Sequence, residues 1–175
     1  MKDVIISIRG TQHSLQPGEE QGPESVELVT DGRYEYGDGA SWFTYRESEI
    51  TGMEGTVTTF RMEDGKVTLI REGAVNSQML FQKGRKHVFL YDTPMGAMTM
   101  GVDTHHLRAV ADEHGGKLDI IYSVDVDNVP LGKNVFRIDW KASHRCQYDY
   151  PDEEERDIHH GSGQPAFCGD TRTSG

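Results

Sequence analysis

Hydrophobic and polar residues alternate with a period of two along most of the chain. The clearest run is 117–127, where Leu118, Ile120, Tyr122, Val124 and Val126 share one face. Lys117, Asp119, Ser123, Asp125 and Asp127 take the other, and Ile121 is the one exception. Such alternation predicts a strand with one face buried and one wet. Residues 134–141 repeat it, with Phe136, Ile138 and Trp140 between Arg137, Asp139 and Lys141. So does the start of the chain, where Val4, Ile6 and Ile8 alternate with Asp3, Ser7 and Arg9.

Turn residues separate these runs. Asp64-Gly65 joins 55–63 to 66–72, and Asp38-Gly39 joins 33–36 to 40–47. Each suits a tight hairpin, because glycine accepts a positive φ at no steric cost. Thr93-Pro94-Met95-Gly96 reads as a β-turn with proline at its second position, and Gly115-Gly116 precedes the strand at 117. About ten short strands at regular spacing predict an all-β barrel or sandwich. Residues 103–114 fit two patterns. They read as a helix capped by Asp103 with Leu107, Val110 and Ala111 on one face, or as a strand with Leu107, Ala109 and Ala111 together. The hairpin signal beside them favours the strand. Residues 11–24, with Pro17, Gly18, Gly22 and Pro23, read as a long loop. Alternation stops at 142, so the chain divides into a barrel domain, 1–141, and a flexible polar tail, 142–175.

Composition narrows the function classes. The chain has 175 residues, enough for one domain with a core of its own. Only 35% are hydrophobic, and mean hydropathy is -0.64, as thin strands buried on one face require. The net charge of -11 and the lack of a basic stripe give no electrostatic footprint for nucleic acid. No apolar run approaches the roughly 18 residues of a membrane helix. The opening Met1-Lys2-Asp3-Val4-Ile5-Ile6-Ser7 turns polar too soon for a signal peptide. The expectation is a cytoplasmic protein without membrane or nucleic-acid partners.

Several landmarks fall in a distinctive order. Tyr45 and Glu47 end one strand, and Arg71-Glu72-Gly73-Ala74-Val75 and Phe81-Gln82-Lys83-Gly84 follow. Thr93-Pro94-Met95-Gly96 and the closing hairpin from Gly115 to Trp140 complete the set. Over about 100 residues, 42–141, their order and spacing resemble a family of bacterial calycin-type β-barrels of unknown function, the YwiB-like proteins. The resemblance implies a closed antiparallel, lipocalin-like barrel, makes 103–114 a strand, and implies no activity. Lipocalins open on a Gly-x-Trp element. The first strand here has Arg9-Gly10-Thr11 instead, so shape alone transfers no lipocalin function.

Arg71 is the most informative candidate, since on 66–72 it shares a face with Val67 and Leu69. If that face is inward, a guanidinium enters an apolar interior and needs a partner. A ligand carboxylate or phosphate would suit it; a rim position or an internal acid is the plainer arrangement. Tyr45, His87, Phe89 and Tyr91 are candidate lining residues, or plain core with satisfied hydroxyls. Val88 and Leu90 make the other face of 86–91 apolar too, which suggests cover on both sides or a homodimer contact. Met98 and Met100 read as core filler. His13, His105 and His106 fit no metal pattern, and His144, Cys146, His159, His160 and Cys168 are spaced too loosely for a zinc site. No nucleophile elbow or phosphate loop is present, so no catalytic set, metal or cofactor is expected. The leading expectation is a barrel that binds a small, partly apolar, anionic ligand through Arg71. The alternatives are a filled barrel acting through its surface and a small hydrolase or isomerase.

Overall fold

The structure, a computed structural model, describes residues 1–14 and 22–143. Ten strands form it: β1 (Lys2–Ser14), β2 (Glu24–Tyr36), β3 (Ala40–Arg46), β4 (Thr56–Glu63), β5 (Lys66–Gly73), β6 (Asn76–Gln82), β7 (Lys86–Thr93), β8 (Gly96–Asp112), β9 (Gly115–Val126) and β10 (Val129–Ala142). All neighbours are antiparallel, and β1 pairs with β10 from Val4↔Ala142 to Ser14↔Gly132, closing the barrel. Among the described residues a 3-10 turn, Glu49–Thr51, interrupts the strands. Among the described residues no helix is long and apolar enough to cross a membrane.

The period-two faces become the inside of the barrel. Leu118, Ile120, Tyr122 and Val124 are buried, as are Val4, Ile6, Ile138 and Trp140. Two aromatic groups fill it at successive levels. Trp140 meets Phe43 at 4.7 Å and Tyr34 at 5.7 Å between ring centroids, and Phe43 stacks on Phe60 at 5.0 Å. Tyr34 Oη donates to the Asp112 carbonyl at 2.7 Å, so its polar tip is satisfied at that end. Further along, Tyr122 packs against Phe81 at 5.0 Å and Phe136 at 5.7 Å. The interior is therefore packed at the Trp140 end and through its middle.

Residues 103–114 are strand, the last part of β8. A β-bulge at His105 separates two register segments, Thr104↔Tyr122 and His106↔Ile121. It moves the inward parity from Met100, Val102 and Thr104 to Leu107, Ala109 and Ala111. The expected loop 11–24 is shorter than its composition suggests, because Thr11–Ser14 belong to β1 and pair with β10. Those four residues project past the core and are half-exposed or exposed, so no alternation marks them. At the other end β10 extends to Ala142. The tail expected from 142 onward lies, apart from its first two residues, outside the described residues.

One seam is short. Between β6 and β7 only Asn76↔Asp92 and Ser77↔Tyr91 are in ladder register, although β7 pairs with β8 along its whole length, Lys86↔Asp103 to Thr93↔Gly96.

Candidate functional site

One row of directly opposed residues crosses five strands: Tyr45↔Thr58, Thr58↔Arg71, Arg71↔Ser77 and Ser77↔Tyr91. Opposed residues share a face, and Val67 and Leu69, four and two positions before Arg71, are fully buried. Arg71 accordingly points into the barrel. Its side chain is half-buried, and its Nε is buried with no hydrogen-bond partner.

Glu47 joins this row from the end of β3. Its backbone N–H donates to the Thr56 carbonyl at 2.9 Å, which carries the β3–β4 pairing one residue past Arg46. That keeps Glu47 on the inward parity of Phe43 and Tyr45, with only 6% of its surface exposed. Thr58 Oγ1 donates to Glu47 Oε1 at 2.5 Å. Glu47 Oε2 is buried and has no partner. Ser77 Oγ, next to Arg71 in the row, is likewise buried and unpartnered.

Arg71 and Glu47 open onto a cavity of about 290 Å³ at one mouth of the barrel. Arg71, Tyr45, Glu47, Tyr122 and Asn134 bring polar atoms to it, and Leu28, Met53 and Phe136 bring apolar surface. Ile50, 67% exposed on the 3-10 turn, and Val26, 43% exposed on β2, stand at its rim. The mouth thus combines apolar walls with a few converging polar groups, the usual make-up of a small-molecule site. Burial raises the Tyr45 hydroxyl above its ordinary value of 10.0; the Glu47 charge adds to the rise and the Arg71 charge opposes it. Tyr122 is raised chiefly by burial, again against Arg71. Both phenols are therefore neutral donors at physiological pH, close to a guanidinium.

A larger hollow, about 650 Å³, runs along β8, β9 and β10. On its lining Lys117 Nζ lies 3.0 Å from Asp139 Oδ1, Asp119 pairs with Arg137 Nε at 3.8 Å, and Arg108 and Lys141 are exposed. It offers no unmatched buried charge, whereas the mouth offers two. Among the described residues no cluster of three or more His, Cys, Asp or Glu is suited to a metal ion. Cys146, Cys168, His144, His159 and His160 lie outside the described residues.

Of the residues singled out from the sequence, Arg71 and Tyr45 come together at the mouth. His87, Phe89 and Tyr91 face inward on β7 and are half-buried, but they do not line this cavity. Tyr91 lies in the same row as Arg71 with Ser77 between them, and His87 Nε2 is buried without a partner. Glu47, Tyr122, Asn134 and Phe136 are the additions. The Glu47 signal was open to reading, since it stands two residues after Tyr45 at an inward position.

A closed antiparallel ten-stranded barrel with a charged, half-apolar mouth defines the class. The chain belongs to the family described as a domain of unknown function, DUF1934, which it matches over residues 6–138. It is 26% identical over 103 residues to the uncharacterized beta-barrel protein YwiB of Bacillus subtilis (strain 168), covering 59% of this chain and 71% of that protein. The crystal structure of the ywiB protein from Bacillus subtilis superposes with a TM-score of 0.70 at 18% identity, over 81% of this chain and 92% of that one. The second likeness carries the fold and nothing about activity.

Proposed function

We propose that this protein is a cytoplasmic binding protein whose barrel mouth takes a small, partly apolar ligand with an anionic group, held by Arg71. The observation that carries this reading is the buried Arg71 Nε, which has no hydrogen-bond partner and sits on the mouth cavity beside apolar walls. A guanidinium edge left in that state is costly to an empty barrel and is satisfied by a carboxylate or phosphate oxygen. Tyr45 and Tyr122 supply neutral hydroxyls next to it. Native mass spectrometry of gently purified protein tests the reading. The wild-type protein should carry a small adduct that Arg71→Met loses. A bare wild-type mass, together with an Arg71→Met variant of equal or greater stability, would overturn it.

A second reading is a homodimer made through the outer side of the β6–β7 seam. There Val88 and Leu90 are 66% and 59% exposed beside a ladder of two pairs. An exposed apolar strand beside so short a ladder offers a surface for another chain. Light scattering over a concentration series decides it: a dimer that Leu90→Lys dissociates supports it, and a strict monomer at high concentration removes it.

A further inference from the structure

The mouth holds two opposite charges that do not pair with each other. Among the described residues Arg71 makes no ion pair, and Glu47 makes none either; the Thr58 hydroxyl donates to its Oε1, and the Tyr45 hydroxyl lies beside the carboxylate. Each keeps one buried polar atom unmatched, Nε on Arg71 and Oε2 on Glu47. Both residues line the same cavity. Glu47 is more than nine-tenths buried, so its free oxygen is held in place by Thr58 and is not a surface group that water screens at will.

This arrangement selects by charge pattern. A purely anionic ligand would satisfy Arg71 while bringing a second negative charge beside the Glu47 carboxylate, at low dielectric, where like charges repel strongly. A purely cationic ligand has the converse conflict with Arg71. A molecule with both groups meets both, and each contact is a charge-assisted hydrogen bond. The volume of about 290 Å³ sits at the small end of ligand pockets, roughly 300–1,000 Å³. It fits a ligand of amino-acid size and not an extended lipid. Leu28, Met53 and Phe136 would receive its apolar part.

We propose that the mouth recognises a small apolar zwitterion of the amino-acid type, its carboxylate on Arg71 and its ammonium group on Glu47. The inference rests on the ligand-binding reading above and deepens it. Isothermal titration of the full chain separates the two, using L-phenylalanine, 3-phenylpropionate and phenethylamine, and the matching leucine series of L-leucine, 4-methylpentanoate and isoamylamine. In at least one series the amino acid should bind tenfold or more tightly than either fragment. Glu47→Gln should bring the amino acid down to the level of its des-amino acid while leaving the des-amino acid no weaker. Near-UV circular dichroism checks the fold of that variant, and the wild-type series decides the matter if the variant is misfolded. A des-amino acid that binds as tightly as its amino acid overturns the zwitterion inference and leaves the anionic-ligand reading standing. No binding by any of the six compounds overturns both.

Discussion

Gly116 shows how a single side chain shapes the filled end of the barrel. It pairs with Trp140 across β9 and β10, and the indole lies over the space a Cβ would need. An added Cβ would come within 2.3 Å of the Trp140 ring and 2.4 Å of the Val110 carbonyl oxygen. Backbone on one side and a fully buried ring on the other leave no cheap relaxation. Gly116→Ala should therefore cost about 1–3 kcal/mol through overpacking, read as a lower midpoint in urea at unchanged m-value. At this same scale much of the mouth was legible. The inward register of Arg71 follows from Val67 and Leu69, and the same parity argument applies to Glu47 after Tyr45. Their convergence was not legible, because it depends on β3, β4 and β5 lying side by side, and no local pattern states which strands are neighbours. His87, Phe89 and Tyr91 have an inward face as read, but three strands, β4, β5 and β6, lie between their strand and that of Tyr45.

Among the elements, β8 explains why residues 103–114 fitted two patterns. The bulge at His105 inserts one unpaired residue and flips the inward parity. Neither alternation nor a helical period can run cleanly through such a point. His105 Nε2 is 2.7 Å from Ser123 Oγ on the exposed side, so the displaced ring has a partner there. The β9–β10 hairpin turns through Asp127 and Asn128, both at positive φ, 50° and 65°. Two consecutive left-handed residues make the turn whose twist matches antiparallel strands, and Asn and Asp tolerate it better than other side chains. Asn128→Val places a β-branched residue in that region and should lower stability by roughly 1–2 kcal/mol in a thermal or urea melt. The β6–β7 seam gives a second expectation at this scale. With two ladder pairs against the full ladders of β9 with β8 and β10, its amides should open locally at lower free energy. Hydrogen exchange followed by mass spectrometry should show peptides from 78–90 exchanging well before those from 117–124. Equal protection of the two regions would contradict the short seam.

The whole molecule carries a stability dependence on alkaline pH that follows from its two buried mouth phenols. Tyr45 and Tyr122 are both raised above 10.0 in the folded barrel, with burial the largest cause in each. An unfolded tyrosine ionises near its ordinary value, whereas the folded one stays protonated to higher pH. Above about pH 10 the folded state thus holds more protons than the unfolded state, and the sign of linkage makes stability fall as pH rises. The contribution is intact below the unfolded value and is lost through the window between it and the raised folded values. Each such tyrosine adds a slope of about 1.4 kcal/mol per pH unit inside that window. Urea unfolding at pH 9, 10, 10.5 and 11 should show stability nearly level at first and then dropping steeply. Tyr45→Phe keeps the ring and removes one titrating group, so the drop should lose about half of the share these two residues give it. A variant slope equal to that of the wild type would mean that Tyr45 ionises in the folded barrel as freely as in the open chain. That result would place its hydroxyl in water and would remove the dry mouth on which the binding site is built.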